Sequence, residues 1–553
     1  MNKSFQKWLN IKDEEIKQNL LSLDQKQIDE NFSNSLEFGT AGLRGVMGLG
    51  TNNINSVTIC KLAYSVVSLA KKNKYKNVVI GFDTRHNSKQ YANIIAKVLA
   101  KSGLNVFIFK SFVPTPVLTF SIKKTKSDLG LMITASHNNK NYNGVKISTF
   151  NSIQISGETE KTLQSLYKKQ NEVLCFNEFL TYQKQKFKNI KLLGNQLKKQ
   201  FIGDVYKNNI NNCLNIIYTP LNGTAYNYVK TVLKSAGFKK IKTPFSQKYP
   251  NGNFTTCSYP NPEFIEAYRE SLKCTETFDA DVIVATDPDG DRLGALIKST
   301  KGYKLLTGNE MGFLLLNYAY ENRIKNNNLY AVGTVVSSPM FFKICEKYGI
   351  NYEKTLTGFK NIGKGKIKLE QKLAKDGFLL AYEESCGYIV RDDFYDKDGI
   401  FALLKFCELA SYLKSTGSSV EEYLNELYEK FENIYSLNSS ISFNGQDAFL
   451  QMNEKVNSLR KKGIKTLMRK KVIQTIDYLN DNTGLEKSNF IEYKTQDFSF
   501  IIRPSGTEPK LKIYIHTKAK TLEQSKKLSQ DVLLAIKKEI FNINEWDFAT
   551  KTK

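Results

Sequence analysis

The sequence predicts three successive α/β domains with mixed sheets followed by an α+β domain, and three observations predict it. Short β-branched runs alternate with amphipathic stretches of helical period, the pattern restarts near residue 214 and again near 329, and the final stretch changes character. In chain order the runs are NVVIGF at 77–82, DLGLMIT at 128–134, LNIIYT at 214–219, DVIVAT at 281–286, LYAVGTVV at 329–336 and GFLLAY at 377–382. Strands separated by helices imply parallel βαβ units. Near the end, DFSFIIRPSGTEPKLKIYIHTKA reads as two alternating strands joined by a polar loop, followed by the helix LEQSKKLSQDVLLAIKKEIF. The domains expected are 1–205, 206–306, 307–433 and 434–553, a division that suits a chain of 553 residues.

Composition narrows the class. A hydrophobic fraction of 41% and a charged fraction of 24% are those of an ordinary globular protein. The opening MNKSFQKWLNIKDEEIKQNL lacks the apolar centre of a secretory signal and no apolar run is long enough to span a bilayer, so a cytoplasmic chain without membrane association is expected. Eight scattered cysteines form no CxxC pair, which points away from zinc and from a disulfide framework. A formal net charge of +26 raises the alternative of a basic nucleic-acid-binding protein. The excess is mostly Lys spread along helices such as KLAYSVVSLAKKNK and not gathered into one stripe, so a solvated surface accounts for it and no nucleic-acid partner is expected. Arginine is scarcer, at 44, 85, 269, 292, 323, 391, 460, 469 and 503, and its planar fork suits bidentate contact with phosphate.

Polar segments that follow apolar strands carry the chemistry, because open parallel sheets bind ligands at strand ends. DLGLMITASHNN delivers Ser136 and His137 into a loop, and NYNGVKI places Lys146 nearby as an acid/base group or charge stabiliser. The plain alternative is a capping Ser and a turn Asn. ADVIVATDPDGDRLG carries Asp287, Asp289 and Asp291; in an extended segment alternate side chains face one way, so three carboxylates can converge on one hard cation. An EF-hand is excluded, since Arg292 and Lys298 stand where Gly and Glu are needed. AYEESCGYIV presents Glu383, Glu384 and Ser385, which could grip sugar hydroxyls or serve as catalytic acids, although no carboxylate pair of known separation points to glycoside hydrolysis. FIIRPSGTEPKLKIY holds Arg503, Ser505, Gly506 and Thr507 in a loop that suits a phosphate, or else a plain hairpin turn. Gly358, Gly363 and Lys364 match P-loop spacing, but Gly365 replaces the hydroxyl that would hold a metal, so nucleotide hydrolysis is discounted.

Taken in order, with GTAGLRG at 39–45 ahead of them, TASHN, DPDGDR, EESCGY and RPSGTEPK resemble the phosphoserine, metal, sugar and phosphate loops of the α-D-phosphohexomutases, the superfamily of phosphoglucomutases and phosphomannomutases. The resemblance implies a four-domain, heart-shaped protein that interconverts hexose 1-phosphate and hexose 6-phosphate through a phosphoserine and a hexose 1,6-bisphosphate. By that resemblance Ser136 would carry the phosphate and join Asp287, Asp289 and Asp291 around one Mg²⁺. Arg44 and Lys146 look like the acid/base pair, His137 a neighbour of the phosphoserine and Arg292 a charge partner. Glu383 and Ser385 would hold sugar hydroxyls, and Thr357, Gly358 and Lys360 would orient the sugar. Lys397, Arg503, Ser505, Gly506 and Thr507 would hold the non-reacting phosphate. The implied partners are sugar phosphates, with a hexose 1,6-bisphosphate as activator, and the implied state is a monomer or homodimer. Cys386 and Tyr388 depart from the Gly and His of many dual-specific members, which favours glucose over mannose. EFGTAGLRG and EESCGY are similar to the branch containing phosphopentomutases and glucose-1,6-bisphosphate synthases, so those activities stay open.

Overall fold

A computed structural model of the chain describes residues 2–39, 42–203, 205, 207, 209–323, 328–373, 375–443, 447–506 and 509–542. They form two compact units, one of residues 1–308, 358–364 and 385–418, the other of 309–357, 365–384 and 419–553. No helix among the described residues is long and apolar enough to cross a membrane.

In the first unit, the runs NVVIGF and LGLMI become the strands Asn77–Phe82 and Leu129–Ile133, apolar without alternation because both faces are covered. Helices Ser56–Asn73 and Ser88–Lys101 bury Val57, Leu62, Val66, Ile95 and Leu99 in the same core as Val78, Ile80 and Leu131. The seven-stranded sheet runs, across its width, Phe38–Gly39, Gly42–Val46, Tyr142–Thr149, Leu129–Ile133, Asn77–Phe82, Asn105–Phe109 and Ile190–Leu193. A second sheet of five runs Gly302–Leu305, Leu293–Ser299, Val282–Thr286, Asn215–Thr219 and Lys240–Lys242.

The sheets are mixed, as the sequence reading expects, and antiparallel strands return at two places. Tyr142–Thr149 returns antiparallel to Leu129–Ile133, and Leu293–Ser299 returns antiparallel to Val282–Thr286. Residues 134–141 and 287–292 are too few for a crossover, which needs about a dozen. Both loops expected to carry chemistry therefore lie in hairpins at the ends of otherwise parallel strands.

The second unit contains three parallel strands, Asn351–Thr355, Tyr330–Thr334 and Phe378–Glu383. Its antiparallel sheet runs Tyr435–Ser442, Lys510–Thr517, Phe498–Pro504, Ile491–Lys494 and Gln474–Asp477. Helix Leu522–Ala535 follows, as the α+β reading predicts. Val335 and Val336, just beyond the strand Tyr330–Thr334, pack with Ile501 and Tyr514 of that sheet and with Phe490 just before its strand Ile491–Lys494. A buried polar chain reinforces the contact: Ser436 Oγ donates to Ser338 Oγ at 2.9 Å and lies 2.9 Å from His516 Nδ1.

Burial pushes His516 down to about 3, with Lys354 adding to the effect. The unfolded chain then binds a proton that the folded one refuses, so between the two values stability rises with pH and is lost as pH falls. Taking an unfolded value of about 6.5, His516 is expected to cost about 2 kcal/mol of stability on going from pH 7 to pH 5. Urea transitions of the full chain at both pH values, wild type against His516→Asn, check this; the variant loses that share of the pH dependence.

Candidate active site

The hairpin that follows Leu129–Ile133 holds Ser136 at φ +53°, a left-handed conformation that costs a non-glycine residue about 1–3 kcal/mol and persists only where neighbours enforce it. Its backbone N–H donates to Thr134 Oγ1 at 2.8 Å, and His137 Nδ1 lies 3.3 Å from Ser136 Oγ. The hydroxyl donates to Asp287 Oδ2 at 2.8 Å. The expected nucleophile and the expected metal loop, 151 residues apart, thus meet through one hydrogen bond.

Convergence of the three aspartates has a different cause from the extended segment the sequence suggested. Gly290, at φ +70°, closes a turn in which its N–H donates to Asp287 O at 2.9 Å. Asp287 Oδ1 then accepts the N–H groups of Asp291 and Arg292, each at 3.0 Å. Carboxylate oxygens of Asp287, Asp289 and Asp291 come within 4.8 Å of one another, and all three residues are buried. The loop is braced from two sides. Thr115 donates through its N–H to Asp289 O and through its hydroxyl to Asp289 Oδ2, while Thr224 N–H reaches Pro288 O at 2.8 Å. Gly223 lies so close that a Cβ there would stand 2.4 Å from Pro288 Cα.

Charge holds this cluster together. Lys146, on the return strand Tyr142–Thr149, donates to Asp289 Oδ2 and Asp291 Oδ2 at 2.6 Å each. Burial opposes its charge, but Asp289, Asp291 and Asp287 outweigh burial and raise it above the ordinary lysine value. Burial also works against Asp289, which Lys146 and the hydrogen bonds from its neighbours nevertheless keep ionised, whereas burial and the two other carboxylates drive Asp287 well up. Lys397 Nζ stands 3.0 Å from Asp291. Arg292 pairs with Glu263 and stands 4.0 Å from Asp287. Arg44 donates to Asn138 Oδ1 at 2.7 Å, and burial brings it down to about 10, with Arg292 and Arg85 adding to the effect and Asp289 resisting it. His137 is pushed well down by burial and by Arg292 and Arg44, so it stands neutral at pH 7.

These residues fit a hard divalent cation. Oδ1 of Asp289 and of Asp291 is buried without a hydrogen-bond partner, an expensive arrangement for a carboxylate oxygen unless a cation uses it. Oxygen donors alone, three of them carboxylates, suit Mg²⁺ or Mn²⁺ over softer metals.

Of the other residues singled out in the sequence, Gly358, Lys360, Ser385 and Lys397 belong to the first unit. Lys360 pairs with Glu160 at 2.9 Å, and Leu293 N–H donates to the carbonyl of Cys386, one residue after Ser385. Thr357, Glu383, Arg503, Ser505 and Gly506 belong to the second unit, and Thr507 lies outside the described residues. There Arg503 closes the hairpin of Phe498–Pro504 and Lys510–Thr517, with Ser505 N–H on Lys510 O at 2.8 Å. Burial opposes the Arg503 charge, but Tyr514, Glu384 and Glu383 hold it. Burial and Glu383 push Glu384 up to about 7, against the pull of Lys512 and Arg503. Two residues of the first unit escaped the sequence reading. Thr115 gives no signal before folding; Arg85 follows the strand NVVIGF directly, in the position that marked the other loops.

Comparison with known proteins follows the same order of segments. Family models for phosphoglucomutase/phosphomannomutase match domain by domain: alpha/beta/alpha domain I at residues 35–174, domain II at 196–301, domain III at 307–431 and the C-terminal domain at 453–534. A phosphoglucomutase of Staphylococcus haemolyticus is 30% identical over an alignment of 547 positions that covers 95% of this chain and 98% of that one. One from Staphylococcus epidermidis is 29% identical over 526 positions, covering 92% and 95% of the two chains. Among solved structures, parafusin of Paramecium, a phosphoglucomutase in its open form, superposes with a TM-score of 0.68 at 18% identity over 92% of this chain and 96% of that one. A phosphoglucomutase/phosphomannomutase family protein of Burkholderia thailandensis gives 0.66 at 18% identity over 92% and 98%.

If Gly223 keeps the aspartate loop in place, Gly223→Ala is expected to weaken divalent cation binding about 10- to 100-fold by displacing Pro288. Calorimetric titration of Mn²⁺ into the full chain measures it, with Asp289→Asn as the variant expected to lose binding outright.

Proposed function

This chain belongs to the phosphoglucomutase/phosphomannomutase family, whose members are intramolecular phosphotransferases, and on that premise we propose that it interconverts hexose 1-phosphate and hexose 6-phosphate through a phosphoserine at Ser136, with glucose the preferred sugar. The observation that carries the mechanism is the hydrogen bond from Ser136 Oγ to Asp287, inside a buried trio of carboxylates faced by Lys146.

Asp287, Asp289 and Asp291, with an oxygen of the Ser136 phosphate, would hold Mg²⁺, which when bound supplies charge neutralisation at the phosphoryl group. In the first transfer the free hydroxyl of the sugar monophosphate attacks phosphorus, the sugar O–P bond forms and the Ser136 Oγ–P bond breaks. The hexose 1,6-bisphosphate then presents its other phosphate, which returns to Ser136 by the reverse exchange. Bisphosphate acting as activator is the same species entering from solution.

Lys146, which faces the carboxylates, and Arg44, which donates to Asn138 in the nucleophile loop, are assigned as the acid/base pair of the two transfers. A neutral His137 packs against the nucleophile without adding to the positive charge around it. Such a reaction depends on positioning and charge neutralisation more than on covalent help from the protein. By the resemblance, Lys397, Arg503, Ser505, Gly506 and Thr507 are the groups we assign to the non-reacting phosphate. Glu383 and Ser385 are assigned to sugar hydroxyls, and Thr357, Gly358 and Lys360 to sugar orientation. Arg292 is a charge partner of the metal loop.

The assignment is tested by assaying the full chain with glucose 1-phosphate, mannose 1-phosphate and ribose 1-phosphate in the presence of Mg²⁺ and a trace of glucose 1,6-bisphosphate; glucose 1-phosphate is expected to give the highest kcat/KM. Ser136→Ala is expected to abolish turnover and to remove the phosphate detected by intact mass in the wild type. Arg503→Ala is expected to raise KM about 10- to 100-fold, the cost of a lost charge-assisted contact, in steady-state kinetics.

A further inference from the structure

Arg85 lies outside every motif that marks the site, yet its side chain is fully buried beneath the Ser136 loop. Nη2 donates to Ser136 O at 2.6 Å and Asn138 O at 2.5 Å; Nη1 donates to Asn139 O at 2.6 Å and Tyr142 O at 3.1 Å. Four carbonyls spanning residues 136–142, from the nucleophile to the start of the return strand, are thus gathered on one planar group. Few side chains can do this: a guanidinium offers donors in a rigid fork, whereas an ammonium is a point charge on a flexible stem.

The guanidinium is itself fixed on its other sides. Nε pairs with Asp83 Oδ2 at 3.2 Å, and Asp83 Oδ1 accepts from Arg85 N–H and from Ser88 Oγ. The ring of Phe254 covers the guanidinium carbon at 5.0 Å. Gly252 lies so close to the turn that a Cβ there would stand 2.7 Å from Thr84 O, and His86 Nε2 meets Asn253 Oδ1 at 2.9 Å. Since Ser136 keeps a left-handed backbone only under external constraint, the source of that constraint decides where its Oγ stands relative to Asp287.

We propose that Arg85 is a positioning residue for phosphoryl transfer: by gripping the backbone of the nucleophile loop from beneath, it fixes Ser136 Oγ at the aspartate trio without touching substrate. Such a role loses rate and spares affinity, because the groups assigned to the sugar and its phosphate are not among its contacts. The role rests on the mutase reading.

The test compares wild type, Arg85→Ala, Arg85→Lys and Asp83→Asn as full chains in the glucose 1-phosphate assay, with circular dichroism to establish folding. Arg85→Ala is expected to lower kcat about 100-fold, the scale of an ångström's misplacement, with KM changed less than about twofold. Arg85→Lys is expected to stay impaired, because charge without the fork cannot collect four carbonyls, and guanidinium ion is expected to restore part of the Arg85→Ala rate. Asp83→Asn is expected to show a smaller loss, also confined to kcat. A folded Arg85→Ala or Arg85→Lys with wild-type kcat, or a loss expressed in KM, overturns the role. Should Arg85→Ala fail to fold, Asp83→Asn decides, and a normal kcat there overturns it. A wild type without turnover would sink the mutase reading and this role with it; a working wild type beside an unimpaired variant sinks the role alone.

Discussion

Three aspartates withdrawn from water within a few ångströms of one another are the constraint on which the first unit is arranged. Each isolated carboxylate would be costly to bury, and neighbours of like sign make it worse. The cost is met by cations from remote parts of the chain: Lys146 on Asp289 and Asp291, Lys397 on Asp291, and Arg44 within the field of both. Removing any one would leave a charge uncompensated, and breaking a buried pair in that way is far more destabilising than never having built it. The cluster therefore also fixes the segments that supply these groups.

Local geometry follows from a device used twice. A parallel strand buried on both faces ends, a loop of fewer than ten residues follows, and the chain returns antiparallel, because the loop is too short for a crossover. A short loop between two hydrogen-bonded strands has little freedom, and each contains a residue in the left-handed region, Ser136 in one and Gly290 in the other. The glycine adopts it at little steric cost; the serine does not. Both loops are braced by neighbours, but only the serine's backbone is itself strained, and the Arg85 guanidinium lies where that strain must be held.

The sequence disclosed what is local and concealed what is not. Runs such as DVIVAT and LGLMI were legible as strands because burial on both faces leaves no alternation to confuse them, and the polar loops stood out by contrast with them. Ser136 and the aspartate trio were legible for the same reason. The cause of the trio's convergence was not, since a period-two argument applies to an extended segment and Gly290 makes a turn. Mixed sheets were expected, but which strands return antiparallel was not legible, because the pattern of apolar runs does not record strand direction. Arg85 was counted among nine arginines without a role, its four partners being backbone carbonyls that no side-chain pattern reveals. Lys397 on Asp291 and Lys360 on Glu160 are pairings across long stretches of chain that spacing alone does not encode.

Electrostatic balance also constrains what the proposed enzyme can admit. The cations around the trio are Lys146, Lys397 and Arg44, with Lys397 also 3.9 Å from the buried Asp396, while Arg292 is paired with Glu263 and Arg85 with Asp83. A divalent cation and a seryl phosphate carry opposite charges of about two, so together they add little net charge to a low-dielectric interior that resists either alone. Metal and phosphoryl group would thus enter this interior best as a pair, in keeping with the hydrogen bond between Asp287, one of the carboxylates that would bind the first, and the hydroxyl that would carry the second.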